Sequence, residues 1–536
     1  MVLATEYAVF GVLVATIYGV GFFVSFKRAS ALTLDEVLLG GRNLKTLPLA
    51  VSVLASVTSS TGIISFTAHF YAYGMNLAWT IIAVFAMIPV TVRIIIPVLY
   101  PLKVTSVFEY LRARFGSKIS LTACIMYFII TQSAGAVGIF AAAMSLATIF
   151  HISFLWCCLA IGFTGSLYTA LGGLRGVVWT DCMQAVIIVI VPFAIIFKIL
   201  FDSNSGRFTL RPISDVKLTF FMDYSFDFTK DENMWACMFG LCALHLYRLG
   251  MDQISVQRYL ASRNLEQAKR QYYFTLFYMN TKLITGTVLV ALMYTLQTLM
   301  GFLLIYWFRD CDPQLSGFIE QVDQLLPFYV KTHLMEFPGF CGLFLCGVVC
   351  AATSTISSLI NSQAAVVYID VVSLYFACND AQAVRITRLL AFIAGIIMTL
   401  YSVAIPYLGS ATRIILLIHS GITGPFVGLF LMGLIFPWVN SKGAGTATVL
   451  MAAFQVWHMG EKFRLGIQPQ RMPATLDYCP GNISTTAMLT ETVSIVSSKT
   501  KMDDVFVLLR LSAYWSNTIS AIVTILLGIF LSLLTG

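Results

Sequence analysis

Asp181 and Gln184 stand one helical turn apart in "WTDCMQAVIIVIVPF", a stretch that is otherwise apolar. A carboxylate at the centre of a hydrocarbon layer costs about 2.5–3.5 kcal/mol on insertion scales, so it marks a pathway or a paired site. A second polar set lies in "CGVVCAATSTISSLINS". There Ala351, Ser354, Thr355, Ser358 and Ser362 fall at i, i+3, i+4, i+7 and i+11, on one face of one helix. Such a row of neutral oxygens suits a small monovalent cation. Calcium recruits carboxylates, and zinc takes histidine and cysteine. A third set is "LASVTSSTG" (54–62), where Ser56, Thr58, Ser59, Ser60, Thr61 and Gly62 crowd together. These residues compete with a helix for backbone hydrogen bonds. The stretch predicts a discontinuous helix whose freed carbonyls face a cavity, because unwound backbone in lipid is tolerated only there. A packing face of small residues is the alternative for both hydroxyl-rich segments. For Asp181 the alternative is a capping or loop-tethering carboxylate paired with Arg175 or a neighbour.

The elements that must hold these residues are membrane spans. Hydrophobic residues make up 58% of the chain and charged residues 11%, with a mean hydropathy of +0.85; soluble proteins carry about 25% charged residues. Apolar runs long enough to cross a bilayer recur throughout and place thirteen spans. They lie near 6–26, 47–70, 76–100, 119–149, 153–171, 178–200, 233–250, 274–305, 338–370, 386–406, 410–436, 443–459 and 508–533. The fold class is therefore an all-α polytopic membrane protein. The first run lacks a basic leader and is too long for a signal core, so it reads as a retained span. The net charge of +8 is read by position, not as a sign of nucleic acid.

Basic residues follow the odd-numbered spans: Lys27, Arg28, Arg42 and Lys45; Lys103, Arg112, Arg114 and Lys118; Arg175; Arg248, Arg258, Arg263, Lys269 and Arg270; Arg385 and Arg388. The positive-inside rule then puts the N-terminus outside and the C-terminus inside. The loops near 201–232, 306–337 and 460–507 fall outside, and the one N-x-[ST] sequon, at Asn482, lies in the last of them. Most of the twelve cysteines sit inside spans, Cys157, Cys158, Cys182, Cys346 and Cys350 among them. Cys311 and Cys479 lie in polar loops on one side, either bridged or free. His69 and His245 read first as packing residues, and Asp252 with Gln253 as a loop cap. An intramembrane enzyme is disfavoured: there is no H-E-x-x-H, no G-x-S-x-G and no paired intramembrane aspartates.

Several stretches together resemble the sodium:solute symporter family. "TALGGLRGVVWTDCMQAVII" is similar to its signature, a Gly-Gly turn followed by W-T-D-x-x-Q. "GMDQISVQRYLASRNLEQAKR" (250–270), "DPQLSGFIEQVDQLLPFYV" (312–330) and "PGFCGLFLCGVVCAATSTISSLINSQAAVVYID" (338–370) fit it as well. The likeness runs from about 30 to 440. Thirteen spans with an outside N-terminus look most like the branch that carries iodide, monocarboxylates and vitamins.

The resemblance implies a leucine-transporter-type core of two five-helix inverted repeats: repeat one at 47–200, repeat two at 233–436, with peripheral spans at 6–26 and 443–533. It implies a sodium site made by the carbonyls of Ala55, Thr58 and Ala351 and the hydroxyls of Ser354 and Thr355. Asp181 and Gln184 would flank the inner sodium exit. The substrate pocket would include Ser59, Gly62, Phe66, Val84 and His245. Gly62, Val84 and His245 depart from the iodide-carrier pattern, which has two glutamines and a tryptophan, and so favour a larger, partly apolar organic anion. The implied activity is sodium-driven import of that anion through a plasma membrane by alternating access. A sensor or sodium-leak channel on the same fold, or a symporter of iodide or of a neutral sugar or polyol, remains as the alternative reading.

Overall fold

The computed structural model describes residues 2–26, 33–204, 222–270, 286–408, 411–467, 469–476, 479 and 506–536. Its regular elements are helices; among the described residues no strand forms beyond one isolated bridge between Leu44 and Ser262. Its main helices are α1 (Val2–Phe26), α2 (Thr46–Val57), α3 (Ser60–Tyr73), α4 (Thr80–Val90), α5 (Ser117–Phe150) and α6 (Phe154–Asn204). After them come α7 (Cys242–Leu246), α8 (Gln253–Leu260), α9 (Gly286–Phe308), α10 (Phe340–Val367), α11 (Asp380–Ala404), α12 (Ala411–Ile435), α13 (Ser441–Arg464) and α14 (Ala513–Thr535).

Three of these are interrupted where the sequence weakens a helix. α2 and α3 meet at a 48° bend across Thr58 and Ser59. Ser59 takes an extended conformation, and its hydroxyl accepts the Gly62 N–H to cap α3. α6 has one non-helical residue, Gly173 (φ 59°, ψ −173°). Its 51 residues would reach ~75 Å if straight, more than two hydrocarbon thicknesses. The break at Gly173 therefore divides it near the expected boundary of the fifth and sixth spans. A Cβ there would lie 3.0 Å from the Val37 carbonyl, so both the dihedral and the space require glycine. The third interruption surrounds α7, which is flanked by π-helical turns at Ala236–Gly240 and Tyr247–Met251 and followed by extended Asp252. Such turns concentrate at functional sites.

α10 is the axis of the bundle. Every residue from Phe344 to Val366 is buried, and α10 packs on α1, α2, α5, α6 and α11. Glu6 of α1, itself buried, accepts N–H groups of Gly339 and Gly342 at the start of α10, both at 2.6 Å. A carboxylate there complements the positive end of the helix. α12, α13 and α14 pack as a second group.

At the end of α3 distal to the bend, Cys311 and Cys479 form a disulfide. Tyr71 donates to Asp312 Oδ2 at 2.6 Å, and the Met472 N–H donates to the Ala72 carbonyl at 2.8 Å. The loop closed by the disulfide is thus fastened to α3.

Among the described residues nine helices are long and apolar enough to cross a membrane, or ten with the bent pair taken as one span. The other expected crossings escape that test for physical reasons. The second half of α6 is continuous with the first, the 233–250 span is broken into short turns, and α13 carries buried Gln455, His458 and Lys462. Part of the expected 274–305 span, at 274–285, and the Asn482 sequon lie outside the described residues. One expectation is corrected. Arg258 is no loop charge but completely buried, and Arg248 is half-buried and paired with Asp252. A tally of basic residues cannot tell a charge beside a span from one folded back into it.

Candidate functional site

The bend between α2 and α3 leaves carbonyls without helical partners. Thr58 N–H bonds to Leu54, and Ser59 N–H turns to Val57 instead of Ala55. α10 supplies what the backbone lacks. Ser354 Oγ donates to the Ala55 carbonyl at 2.8 Å, and Thr355 Oγ1 donates to the Ser56 carbonyl at 3.1 Å. Both hydroxyls also reach the Ala351 carbonyl, at 3.2 and 3.0 Å. Ala55, Ala351, Ser354 and Thr355, all expected at one site, therefore converge. Thr58, buried, ends α2 beside them, although the carbonyl met by Thr355 is that of Ser56. The donor set is neutral oxygen throughout, and no group of three His, Cys, Asp or Glu that could hold a metal occurs among the described residues. A monovalent hard cation fits it.

Beneath lies a sealed charge cluster. Asp181 Oδ2 accepts from Ser52 at 2.5 Å and Ser56 at 3.4 Å, and pairs with Arg258 Nη2 at 3.3 Å. Arg258 arrives from α8. It donates to Ser52 at 3.0 Å, Ser56 at 2.6 Å, Ser358 at 2.7 Å and the Ile254 carbonyl at 2.9 Å. Of the partners the pairing alternative allowed for Asp181, Arg175 is not the one, since it goes to Glu36 and to the Gly40 carbonyl. Gln184 donates to Thr353 at 2.9 Å, leaving its carbonyl oxygen buried without a partner. Asp181 Oδ1 is likewise unpartnered. The missed partner, Arg258, had a visible trace in the sequence. "QISVQRYL" carries Gln, Ser, Gln and Arg among apolar residues, a pattern suited to a helix folded inward.

The hydroxyl face of α10 ties these layers together. Ser354 and Thr355 meet α2, Ser358 meets Arg258 and lies 2.8 Å from Ser56, and Ser362 accepts from Tyr127 at 2.8 Å. Tyr127 also donates to Asp252 at 3.2 Å. Asp252 accepts the Ile254 N–H and so caps α8, as its sequence suggests.

The residues expected around substrate occupy a neighbouring region. A Cβ on Gly62 would lie 2.9 Å from Gln297 Nε2 of α9, a residue sequence reasoning missed because one glutamine in a long apolar run carries no pattern. His245 Nε2 is 2.6 Å from Thr80 Oγ1, and buried Val84 is one turn further along α4. Phe66, half-buried, packs against the apolar cluster that contains Phe70 and Leu241. The Thr61 hydroxyl is buried with no partner. His69, by contrast, pairs with Glu232 at 2.9 Å, away from this set.

The profile described as the sodium:solute symporter family matches residues 37–450. This chain belongs to that family. Among its relatives, sodium-coupled monocarboxylate transporter 2 of Mus musculus is 29% identical, covering 99% of this chain and 84% of the relative. The protein named "Putative sodium-dependent multivitamin transporter" of Drosophila melanogaster is 28% identical, over 99% and 86%. Sodium-coupled monocarboxylate transporter 1 of Homo sapiens is 26% identical, over 99% and 87%. A solved structure of a Na+-coupled sialic acid symporter in a substrate-bound, outward-open state shares the fold. Its TM-score is 0.73 at 21% identity, covering 99% of this chain and 98% of that one. The chain is thus a multi-pass membrane protein of sodium-coupled symport, with Na+ as the co-transported ion and a transport rather than an enzymatic role.

Proposed function

We propose that this symporter imports a small organic anion, monocarboxylate- or vitamin-like, across a plasma membrane. The observation that carries the coupling is the meeting of the Ala55 and Ser56 carbonyls with the Ser354 and Thr355 hydroxyls. Sodium would displace those hydroxyl protons from the carbonyls and draw α10 and the bend of α2–α3 into one coordination shell, which is differential binding to one conformation. The pocket beside it, with Gly62, Phe66, Val84, His245 and Ser59, combines apolar walls with a few polar groups, as organic ligands require. Names of the relatives support an anionic cargo.

In the proposed cycle Arg258 and Asp181 form the inner gate. While they are paired, with neither exposed, the route below the sodium site is closed. Opening separates them and presents Asp181 to the departing cation, with Gln184 one turn deeper. The two repeats, 47–200 and 233–436, would rock about the site, with the N-terminus outside.

The test is current and tracer uptake in oocytes perfused with short monocarboxylates, biotin, iodide, glucose and myo-inositol, sodium against choline. Uptake needing both sodium and one organic acid is expected. A sodium current indifferent to every solute would instead establish a leak channel or sensor on this fold.

A further inference from the structure

A second arginine stands in the bundle, and sodium coupling does not use it. Arg248 lies in the π-helical turn Tyr247–Met251, one turn beyond His245. Its guanidinium gives one N–H, from Nη1, to Asp252 Oδ2 at 3.1 Å. Asp252 is held in turn by Tyr127 and the Ile254 N–H, so the pair is fixed and neutral. The other edge of the guanidinium, Nε and Nη2, has no acceptor among the described residues. The side chain nevertheless keeps 27% of its surface open while Asp252 beside it keeps 3%. The turn that carries it packs on α7, α8 and α12, and Tyr247 beside it, fully buried, meets His419 of α12 edge-on at 6.5 Å between ring centroids.

Polar capacity is left unspent on α9 and on α12. Tyr294 is one turn from Gln297, whose amide abuts Gly62 and makes no hydrogen bond among the described residues. His419 Nδ1 is buried without a partner, and so is Thr423 Oγ1 one turn on. Buried polar groups left unpaired are costly, and these two stand on the helix that packs against the Arg248 turn, where a ligand can complete them. A guanidinium edge offers two parallel N–H donors matched to a carboxylate.

We propose that Arg248 receives the carboxylate of the transported anion through its Nε and Nη2 edge, with Asp252 as the positioning residue. This rests on the anion reading above and names the recognising group within it. It also accounts for the sodium requirement. The Arg248–Asp252 and Arg258–Asp181 pairs are each neutral, so a bound carboxylate leaves one net negative charge in a low-dielectric interior. One sodium ion at the Ser354–Thr355 site cancels it.

The experiment uses the full chain in proteoliposomes with an inward sodium gradient. Labelled butyrate and biotin are the probes, and butyramide is the neutral competitor. Arg248→Gln is expected to raise KM for the acid at least about tenfold, the worth of a charge-assisted pair, and to let butyramide compete as well as butyrate. Arg248→Lys, which keeps the charge without the fork, is expected to fall between. Should the Gln variant not accumulate, Arg248→Gln/Asp252→Asn keeps the pair neutral and gives the same comparison. A Gln variant with KM within about twofold of wild type and an intact preference for acid over amide overturns the proposal while leaving the anion reading in place. Wild-type protein that takes up labelled glucose and neither acid overturns both.

Discussion

Arg258 and Asp181, 77 residues apart in sequence, meet at 3.3 Å with neither side chain exposed. Around them Ser52, Ser56 and Ser358 donate or accept, so α2, α6, α8 and α10 share one polar knot. Breaking a buried pair from one side leaves an uncompensated charge and costs about 3–5 kcal/mol. Asp181→Asn and Arg258→Gln should each lower the Tm of detergent-solubilised protein sharply. The double variant should regain most of it, because no lone charge remains. Fluorescence-detected thermal unfolding reads this. Additive losses in the double variant would show that the pair is not coupled.

Sodium affinity should depend on the two hydroxyls that reach the bend. Ser354→Ala and Thr355→Ala each remove one neutral oxygen, and the half-saturating sodium concentration should rise about tenfold, near the upper worth of one hydrogen-bonding group. At saturating sodium the KM for the anion should stay close to wild type. Sodium titrations of tracer uptake separate the two, and an unchanged sodium dependence in both variants would move the site elsewhere.

Gly62 sits where any side chain meets Gln297. In Gly62→Ala the new Cβ presses on a flexible amide, which can shift; Gly62→Leu fills the space outright. Substrate KM should rise a few-fold in the first and uptake should be lost in the second, with sodium-dependent thermal stabilisation kept in both. Equal uptake by the Leu variant would place substrate away from α3.

The disulfide between Cys311 and Cys479 closes a loop spanning 168 residues. Cross-links of this kind stabilise by about 2–4 kcal/mol. Cys311→Ser/Cys479→Ser, or wild type held in reductant, should therefore melt several degrees lower. Wild type and variant should converge when both are reduced.

Much of this was legible in the residues. Ala351 and the hydroxyls at 354, 355, 358 and 362 announced one face of one helix through 3.6-residue periodicity, and that face is where α10 meets α2, Arg258 and Tyr127. The run of Ser and Thr at 56–61 announced the break, because those side chains compete locally for the backbone. Arg248 and Arg258 were misplaced for the opposite reason. Positive-inside counting treats every arginine near a span end as solvated, whereas these two are held inside by aspartates 4 and 77 residues away. The first spacing is visible in sequence and the second is not. Gln297 depended on an approach between α3 and α9 that no local pattern encodes.

The clasp on α3 has a mechanical meaning. Tyr71–Asp312 and Met472–Ala72 pin the distal end of α3 to a covalently closed loop, whereas among the described residues α2 across the bend is tied to α6, α8 and α10 by hydrogen bonds through side chains. The pair behaves as a two-leaf door with its pintle at Thr58–Ser59: one leaf is bolted to the frame, and the other is latched by hydrogen bonds. In the proposed cycle, torque produced by cargo binding would be delivered to the latched leaf, and the bolted leaf would move with the whole frame.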